Sequence, residues 1–444
     1  MKANMSALLE GLKKADGGIC ISVNEFKEAQ YGLPLKHYCL QYLFGSTGLR
    51  YGGFYMCAGK PKSCKSPFVF DLAHRCCELD GISYIYELEG KMSPTLISSM
   101  LADHPEWMDG GPFQILKGHT LDEAETHLTK KILPTFKKLG AYDTPLLIDW
   151  DSISGAAMTD VVDKIQTDGT VGKGYHEKPH VMKYLTESWS VLVGNLPVVF
   201  VGVLQEKTKA SEGFGKKAPE KSYGGGDSQL FKVGTLLTFQ LIGKLDSGKR
   251  IKISTELNGF ADARQIEATF TWNQFGSLED ESQGHKWNWA DATALCLAQP
   301  KIVGELRDII DVKRSDKGLV TCKQFGLTSV TAEEFEAALF AEENKKVLND
   351  LYSYHKVEKI KTPSEYIEYV RKLENRAQSA KEADKAAKQE AKEAQLAAEK
   401  AKQEAKQAKK EAKVKKTLNK DPLASLKALA DKAQSDSAEV PNGE

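Results

Sequence analysis

The sequence predicts an α/β fold with a mostly parallel central sheet, and two observations carry that prediction. Between residues 35 and 258, short apolar runs alternate with longer stretches of helical periodicity. The runs are GGFYMCAG (52–59), ISYIYELE (82–89), TPLLIDWDS (144–152), LPVVFVGVLQ (196–205) and GTLLTFQLIGKL (234–245). The first four are almost continuously apolar, as strands covered on both faces are. KSPFVFDLAHRCCELD (65–80) and HVMKYLTESWSVLVGN (180–195) are the clearest intervening helices.

The elements follow in order. Residues 1–33 carry a short amphipathic helix with Leu8, Leu9 and Leu12 on one side, a segment suited to packing on a neighbouring copy or on its own core. Residues 34–258 form the α/β core. Residues 259–370 read as a smaller C-terminal domain with three tryptophans close together and an amphipathic helix over 331–355. Residues 371–418 are rich in Lys, Ala, Glu and Gln, strong helix formers with Glu-to-Lys spacings that support a solvated helix about 60 Å long or more. Residues 419–444 read as a flexible tail.

Composition excludes several classes. No run approaches eighteen apolar residues, so no membrane partner is expected. The N-terminus lacks the apolar block and cleavage site of a signal peptide, which points to a cytoplasmic location. The eight cysteines include no C-x-x-C pair, so buried thiols in a reducing compartment are expected rather than a zinc framework. Formal net charge is zero, but residues 381–420 hold thirteen lysines against seven acids, a net +6 that the rest of the chain balances. Any affinity for nucleic acid must therefore reside in local basic segments.

The segment AGKPKSCKSPFVFDLA (58–73) departs from the phosphate-loop pattern G-x-x-x-x-G-K-[ST] at one position. Gly59, Lys65 and Ser66 fit, with Lys60, Pro61, Lys62 and Ser63 between them and Pro67 opening the helix. Cys64 stands where the second glycine is expected. A strand before and a helix after would aim backbone N–H groups at one spot, which suits an anion. Lys65 would reach the β- and γ-phosphates of ATP, and the Ser66 hydroxyl would ligate Mg²⁺. Other strand ends offer fitting groups: Asp149 or Asp151 for the metal, Glu87 or Glu89 to orient an attacking water, and Gln205 to sense the γ-phosphate.

This order of motifs resembles the RecA family of recombinases, and most closely the bacteriophage RecA-like strand-exchange proteins. The resemblance runs over roughly residues 34–258, through YIYELEGKMSPTLISSML, LLIDWDSISG, VVFVGVLQEKTK and SYGGGDSQLFKVGTLLTFQLIGK. It implies a RecA-like P-loop ATPase core, ATP and Mg²⁺ as cofactors, and a DNA-dependent ATPase that forms filaments on single-stranded DNA and exchanges strands with duplex DNA. It also implies self-association, with a loading or mediator protein as a further partner, in the cytoplasm of a bacterial or infected host. Glu89 takes the place of the catalytic glutamate, with Lys65 and Gln205 as its catalytic companions, and Asp151 that of the metal-binding aspartate, with Asp149 as fallback.

The segment after Gln205 matches the family's second DNA-binding loop. It carries Lys207, Lys209, Phe214, Lys216, Lys217, Lys221, Gly224, Gly225 and Gly226. The basic charge, the glycines and a ring that can stack between bases suit a DNA contact on their own terms. Lys173 and Tyr175 fall in the place of the first loop. Leu96 stands where the family places an aromatic near the adenine, and Thr255 and Leu257 where it places lysines that reach the neighbouring protomer, with Lys249, Arg250 and Lys252 nearby. Two other readings share the nucleotide chemistry: a hexameric RecA-fold helicase, and a weakly hydrolysing structural or mediator paralogue.

Overall fold

The computed structural model describes residues 24–25, 29–168, 178–209, 220–223, 233–259, 261–272, 285–298 and 306–418, with 423, 426–427 and 430–431. These fall into two compact units divided between Arg371 and Lys372. Fifteen strands are described: β1 (Gly32–Pro34), β2 (Gly48–Arg50), β3 (Phe54–Gly59), β4 (Ile82–Glu87), β5 (Phe113–Lys117), β6 (Leu146–Asp151), β7 (Val198–Lys209), β8 (Glu220–Tyr223), β9 (Thr235–Leu245), β10 (Gly248–Asn258), β11 (Gln265–Thr271), β12 (Lys286–Trp287), β13 (Val312–Arg314), β14 (Val320–Cys322) and β15 (Leu327–Val330).

The first unit is α/β, organised on one large sheet in the order β12-β11-β10-β9-β3-β7-β6-β4-β5, with β8 paired to β7. The six strands from β5 to β9 run parallel, while β10, β11 and β12 add on in antiparallel fashion. The sheet thus continues beyond residue 258, through two strands that apolar periodicity left unremarked. β5, at the opposite edge, gives no such signal, because FQILK is short and only Phe113 in it is buried. The central location of β3 is legible in its chemistry: all six of its residues are buried, as a strand covered on both faces requires.

Side chains alternate between two cores. Cys57, Leu147, Val201 and Phe239 face Phe68, Val69 and Leu72 of the Lys65–Glu78 helix. Phe54, Met56, Ile148, Trp150 and Phe200 face Leu128, Leu133, Met182 and Trp189 on the opposite side. Phe54 and Phe200 stack with centroids 4.2 Å apart. Burial of each such ring contributes about 2–3 kcal/mol. The helices on this second face include Leu121–His127 and Leu133–Leu139, joined by a π-helical segment at Leu128–Ile132.

A third core gathers the Trp289–Leu297 helix, β13 to β15 and the helices Ala332–Phe340 and Lys345–Tyr354. The predicted long helix 331–355 is two helices, interrupted at Ala341, whose extended backbone ends the first. The charged helix begins earlier than the composition shift suggests, at Pro363, and runs to Leu418. Within the first unit its opening turns bury Tyr366 and Val370 against Tyr31. From Lys381 to Lys413 the described side chains are exposed. Among the described residues no helix is long and apolar enough to cross a membrane. The seven described cysteines are free and buried. The expected N-terminal helix at Leu8–Leu12 and most of the 419–444 tail lie outside the described residues.

Candidate functional site

β3 ends at Gly59, and the chain turns through residues 60–64 into the Lys65–Glu78 helix. The turn requires two residues of left-handed backbone, Lys62 at φ 65° and Cys64 at φ 62°. Cys64 is the residue that precedes the helix, where the consensus places glycine, and it adopts the conformation a glycine would. Its side chain packs in the core cluster and is only 7% exposed, and the residue also borders the cavity beside the loop. It offers the helix no side-chain cap, which leaves the first N–H groups of the helix available to a ligand.

The Lys65 ammonium lies inside the turn. It donates to the Gly59 carbonyl at 3.0 Å and the Lys60 carbonyl at 2.9 Å, with Ser63 Oγ at 3.5 Å. The Ser63 hydroxyl in turn donates to the Lys60 carbonyl at 2.8 Å. Burial pulls the Lys65 ammonium below its ordinary range, and Asp151, Cys57 and Glu89 oppose that pull. A Cβ at Gly59 would approach the Phe239 carbonyl to 2.6 Å, so the strand end accepts only glycine without a shift.

The neighbouring strand ends supply the carboxylates. Asp151 closes β6 and is hydrogen-bonded to the Ser66 side chain. Burial pushes its carboxyl up to about 6, with Glu89 and Glu87 raising it and Ser66 and Lys65 lowering it. Asp149 lies two residues earlier, fully buried, and neither of its oxygens has a hydrogen-bond partner among the described residues. Burial, and then Asp151, push its carboxyl well above the carboxylate range. Of the two acids, only Asp151 meets the loop.

Glu87 ends β4 and Glu89 lies two residues past it. Glu87 accepts from the backbone N–H of Lys91 at 2.6 Å and of Met92 at 3.3 Å, and so shapes the turn. Glu89 is held from three sides. The Ser152 hydroxyl donates to it, Lys91 Nζ lies at 2.9 Å, and Gln205 Nε2 lies at 3.4 Å. A Cβ on Gly155 would overlap the Glu89 carboxylate. Gln205 is itself fixed by its backbone N–H, which donates to Ser154 Oγ at 2.8 Å. Lys91 and Ser154 escaped the sequence reading, although the first lies two residues from Glu89 and the second three residues from Asp151.

Past Gln205, β7 continues as a two-stranded antiparallel ribbon with β8. Lys207 pairs with Ser222, Thr208 with Lys221, and Lys209 with Glu220. Lys207 is exposed. The segment predicted as a loop therefore opens and closes as a hairpin, which the mixed Lys and Glu composition did not signal. Phe214, Lys216, Lys217, Gly224, Gly225, Gly226, Lys173 and Tyr175 lie outside the described residues. Thr255 is buried and bonded to Arg264, whereas Leu257 is exposed.

On its other side the loop borders a cavity of about 530 Å³, closed by Leu96, Lys249, Phe270, Trp272 and His285. The resemblance places Leu96 near the adenine and Lys249 near the phosphate-reaching positions, but sequence reasoning had no signal for Phe270, Trp272 and His285, which join the loop from about two hundred residues away. Among the described residues no group of three or more His, Cys, Asp or Glu side chains is arranged to hold a metal ion. No protein-family model matches the chain, and no curated protein matches it.

Proposed function

We propose that this protein is an ATP-dependent DNA recombinase of RecA-like fold, which polymerises on single-stranded DNA and exchanges strands with a homologous duplex. The observation that carries the reading is the convergence of Lys65, Ser66, Asp151, Glu89 and Gln205 at the carboxyl ends of adjacent parallel strands, with Gln205 leading directly into a lysine-bearing ribbon. Ligands of parallel α/β sheets bind at that edge. The sheet order, with the loop strand β3 between β7 and β9, agrees with such a core.

The residues fit a nucleotide. Lys65 already bonds two carbonyl oxygens inside the turn, and phosphate oxygens are stronger acceptors for the same ammonium. Among the described residues the cavity beside the loop is lined by Lys62, Lys65 and Lys249 and by no carboxylate, and it has an aromatic wall in Phe270 and Trp272. An anion carrying a planar base suits both features. Trp272 thus stands in for the aromatic that is missing at Leu96.

Ser66 and Asp151 would hold Mg²⁺, an ion that needs only one or two protein ligands when phosphates and waters supply the rest. When bound, the ion neutralises charge on the β- and γ-phosphates.

The chain's own residues do the remainder. Glu89 orients the attacking water and accepts its proton as the bond from water oxygen to the γ-phosphorus forms and the bond to the bridging oxygen breaks, releasing ADP. In the structure described, its carboxylate is occupied by Ser152, Lys91 and Gln205, which keeps it from that task. Gln205 links this carboxylate to the ribbon that begins one residue later. Ordering of that ribbon on DNA draws the amide away and releases the carboxylate, which couples DNA binding to turnover.

The test is ATP hydrolysis with and without single-stranded DNA, in the native chain and in Lys65→Ala and Glu89→Gln. Strong stimulation that both substitutions remove supports the reading. Turnover in Lys65→Ala equal to that of the native chain refutes it.

A further inference from the structure

One cation at the cavity has no role in the mechanism above. Lys249 comes from β10, outside the phosphate loop and outside the parallel part of the sheet. Its Nζ donates to the Lys62 carbonyl at 3.2 Å and lies 5.4 Å from the centre of the Trp272 ring. Among the described residues it forms no ion pair, whereas its neighbour Arg250 is paired with Glu267 at 2.9 Å. A partly exposed ammonium bonded to one neutral carbonyl, with no carboxylate among the described residues that line the cavity, keeps donors available for an anion.

Its position along the loop limits what it can meet. Lys65 and Ser66 face Asp151 and Glu89, which marks that side as the β- and γ-phosphate end. Lys249 stands on the opposite side, between Lys62 and the aromatic wall where the base would lie. The phosphate between a base and the β-phosphate is the α-phosphate.

We infer that Lys249 is a further nucleotide-binding residue, which exchanges the Lys62 carbonyl for the α-phosphate of a nucleotide bound by the same protomer. The inference rests on reading residues 59–66 as a phosphate loop. The exchange replaces a neutral acceptor by an anionic one, the stronger kind of hydrogen bond. It also frees the Lys62 carbonyl, so the loop is held by Lys249 only when the site is empty.

The experiment measures equilibrium binding of adenosine, AMP, ADP and ATP to the full chain, native and substituted. Lys249→Ala is expected to weaken AMP, ADP and ATP by a similar factor, about tenfold, and to leave adenosine unchanged. Lys249→Arg, which keeps the charge, is expected to recover most of the loss, and Lys249→Gln replaces the alanine variant if that variant does not fold. Lys65→Ala is expected to weaken ADP and ATP while sparing AMP.

Native-like affinity of Lys249→Ala for all three nucleotides, alongside loss of ADP and ATP in Lys65→Ala, overturns the role of Lys249 and leaves the loop intact. A Lys249→Ala defect confined to ATP overturns it as well, because that pattern marks the γ-phosphate. Native-like ATP affinity in Lys65→Ala overturns the phosphate loop and Lys249 together.

Discussion

Substitution of Cys64 tests the backbone that shapes the loop. The residue has φ 62° and ψ 30°, a left-handed conformation. That conformation costs an L-residue about 1–2 kcal/mol, and glycine avoids the cost. At an ordinary site alanine is more stable than glycine by roughly 0.5–1 kcal/mol, because glycine loses more chain entropy on folding. Here the two effects oppose each other.

Cys64→Ala keeps the strain and loses the buried sulfur, at a cost of about 1 kcal/mol. Cys64→Gly loses the same sulfur and pays the extra entropy, but recovers the strain. Glycine should therefore equal alanine or exceed it by up to about 1.5 kcal/mol. Cys64→Asn should fall near glycine, since asparagine tolerates this conformation, and Cys64→Val should be the least stable of the series. Urea unfolding followed by tryptophan fluorescence gives the order. Alanine more stable than glycine by the ordinary margin would refute left-handed backbone at this position, and with it the claim that cysteine substitutes for the consensus glycine by adopting its conformation.

Three further outcomes follow from the site and its surroundings. Lys91→Met removes the ammonium 2.9 Å from Glu89 and should raise DNA-independent ATP turnover several-fold; an unchanged basal rate means that Lys91 does not restrain the carboxylate. Gly155→Ala should lower turnover at least tenfold with little change in nucleotide affinity, since its Cβ displaces Glu89; unaltered kcat would show that the carboxylate has room to move. Asp71 donates no charge to the mechanism, but burial pushes its carboxyl up to about 6 from 3.8, against the Trp289 indole N–H at 2.9 Å. A carboxyl with a raised folded pKa holds its proton more tightly in the native state, so its contribution to stability falls as pH rises from about 4 to 6, by up to about 3 kcal/mol. Asp71→Asn should flatten that part of the stability–pH curve, and an unchanged slope would place the titration elsewhere.

The parallel half of the sheet was legible in the sequence because strands covered on both faces must be apolar at nearly every position, as Phe54–Gly59 and Val198–Leu204 are. The antiparallel half was not. Gln265–Thr271 alternates buried and partly exposed residues, and Gly248–Asn258 carries Lys249, Arg250 and Lys252 among its isoleucines, so neither stands out from a charged loop. The same limit hid part of the site. Residues that act through a local motif, such as Gly59 to Ser66, announce themselves by spacing. Lys249 and Trp272 meet that motif only because β9 pairs with β3 and carries β10 and β11 alongside, a relation that exists in three dimensions alone. Glu89 was found by its place after a strand, but its restraint by Ser152 and Gln205 depends on three different strand ends.

The two aspartates of LLIDWDS show how position along a strand decides chemistry. Both point to the face covered by the Lys65–Glu78 helix, so alternation alone cannot choose between them. Asp151 is the last residue of β6, level with the start of that helix, and the Ser66 hydroxyl reaches it there. Asp149 lies one full pleat deeper, beside Val201 and Ile85, where no donor is described. An ionised carboxylate without a partner at that depth would be costly, so Asp149 keeps its proton, and a neutral acid is a poor cation ligand. Asp149→Asn or Asp149→Leu should therefore leave Mg²⁺-dependent nucleotide affinity within a few-fold of native, whereas Asp151→Asn should lose most of it. Equal losses from both positions would show that Asp149 is ionised and shared by the same ion.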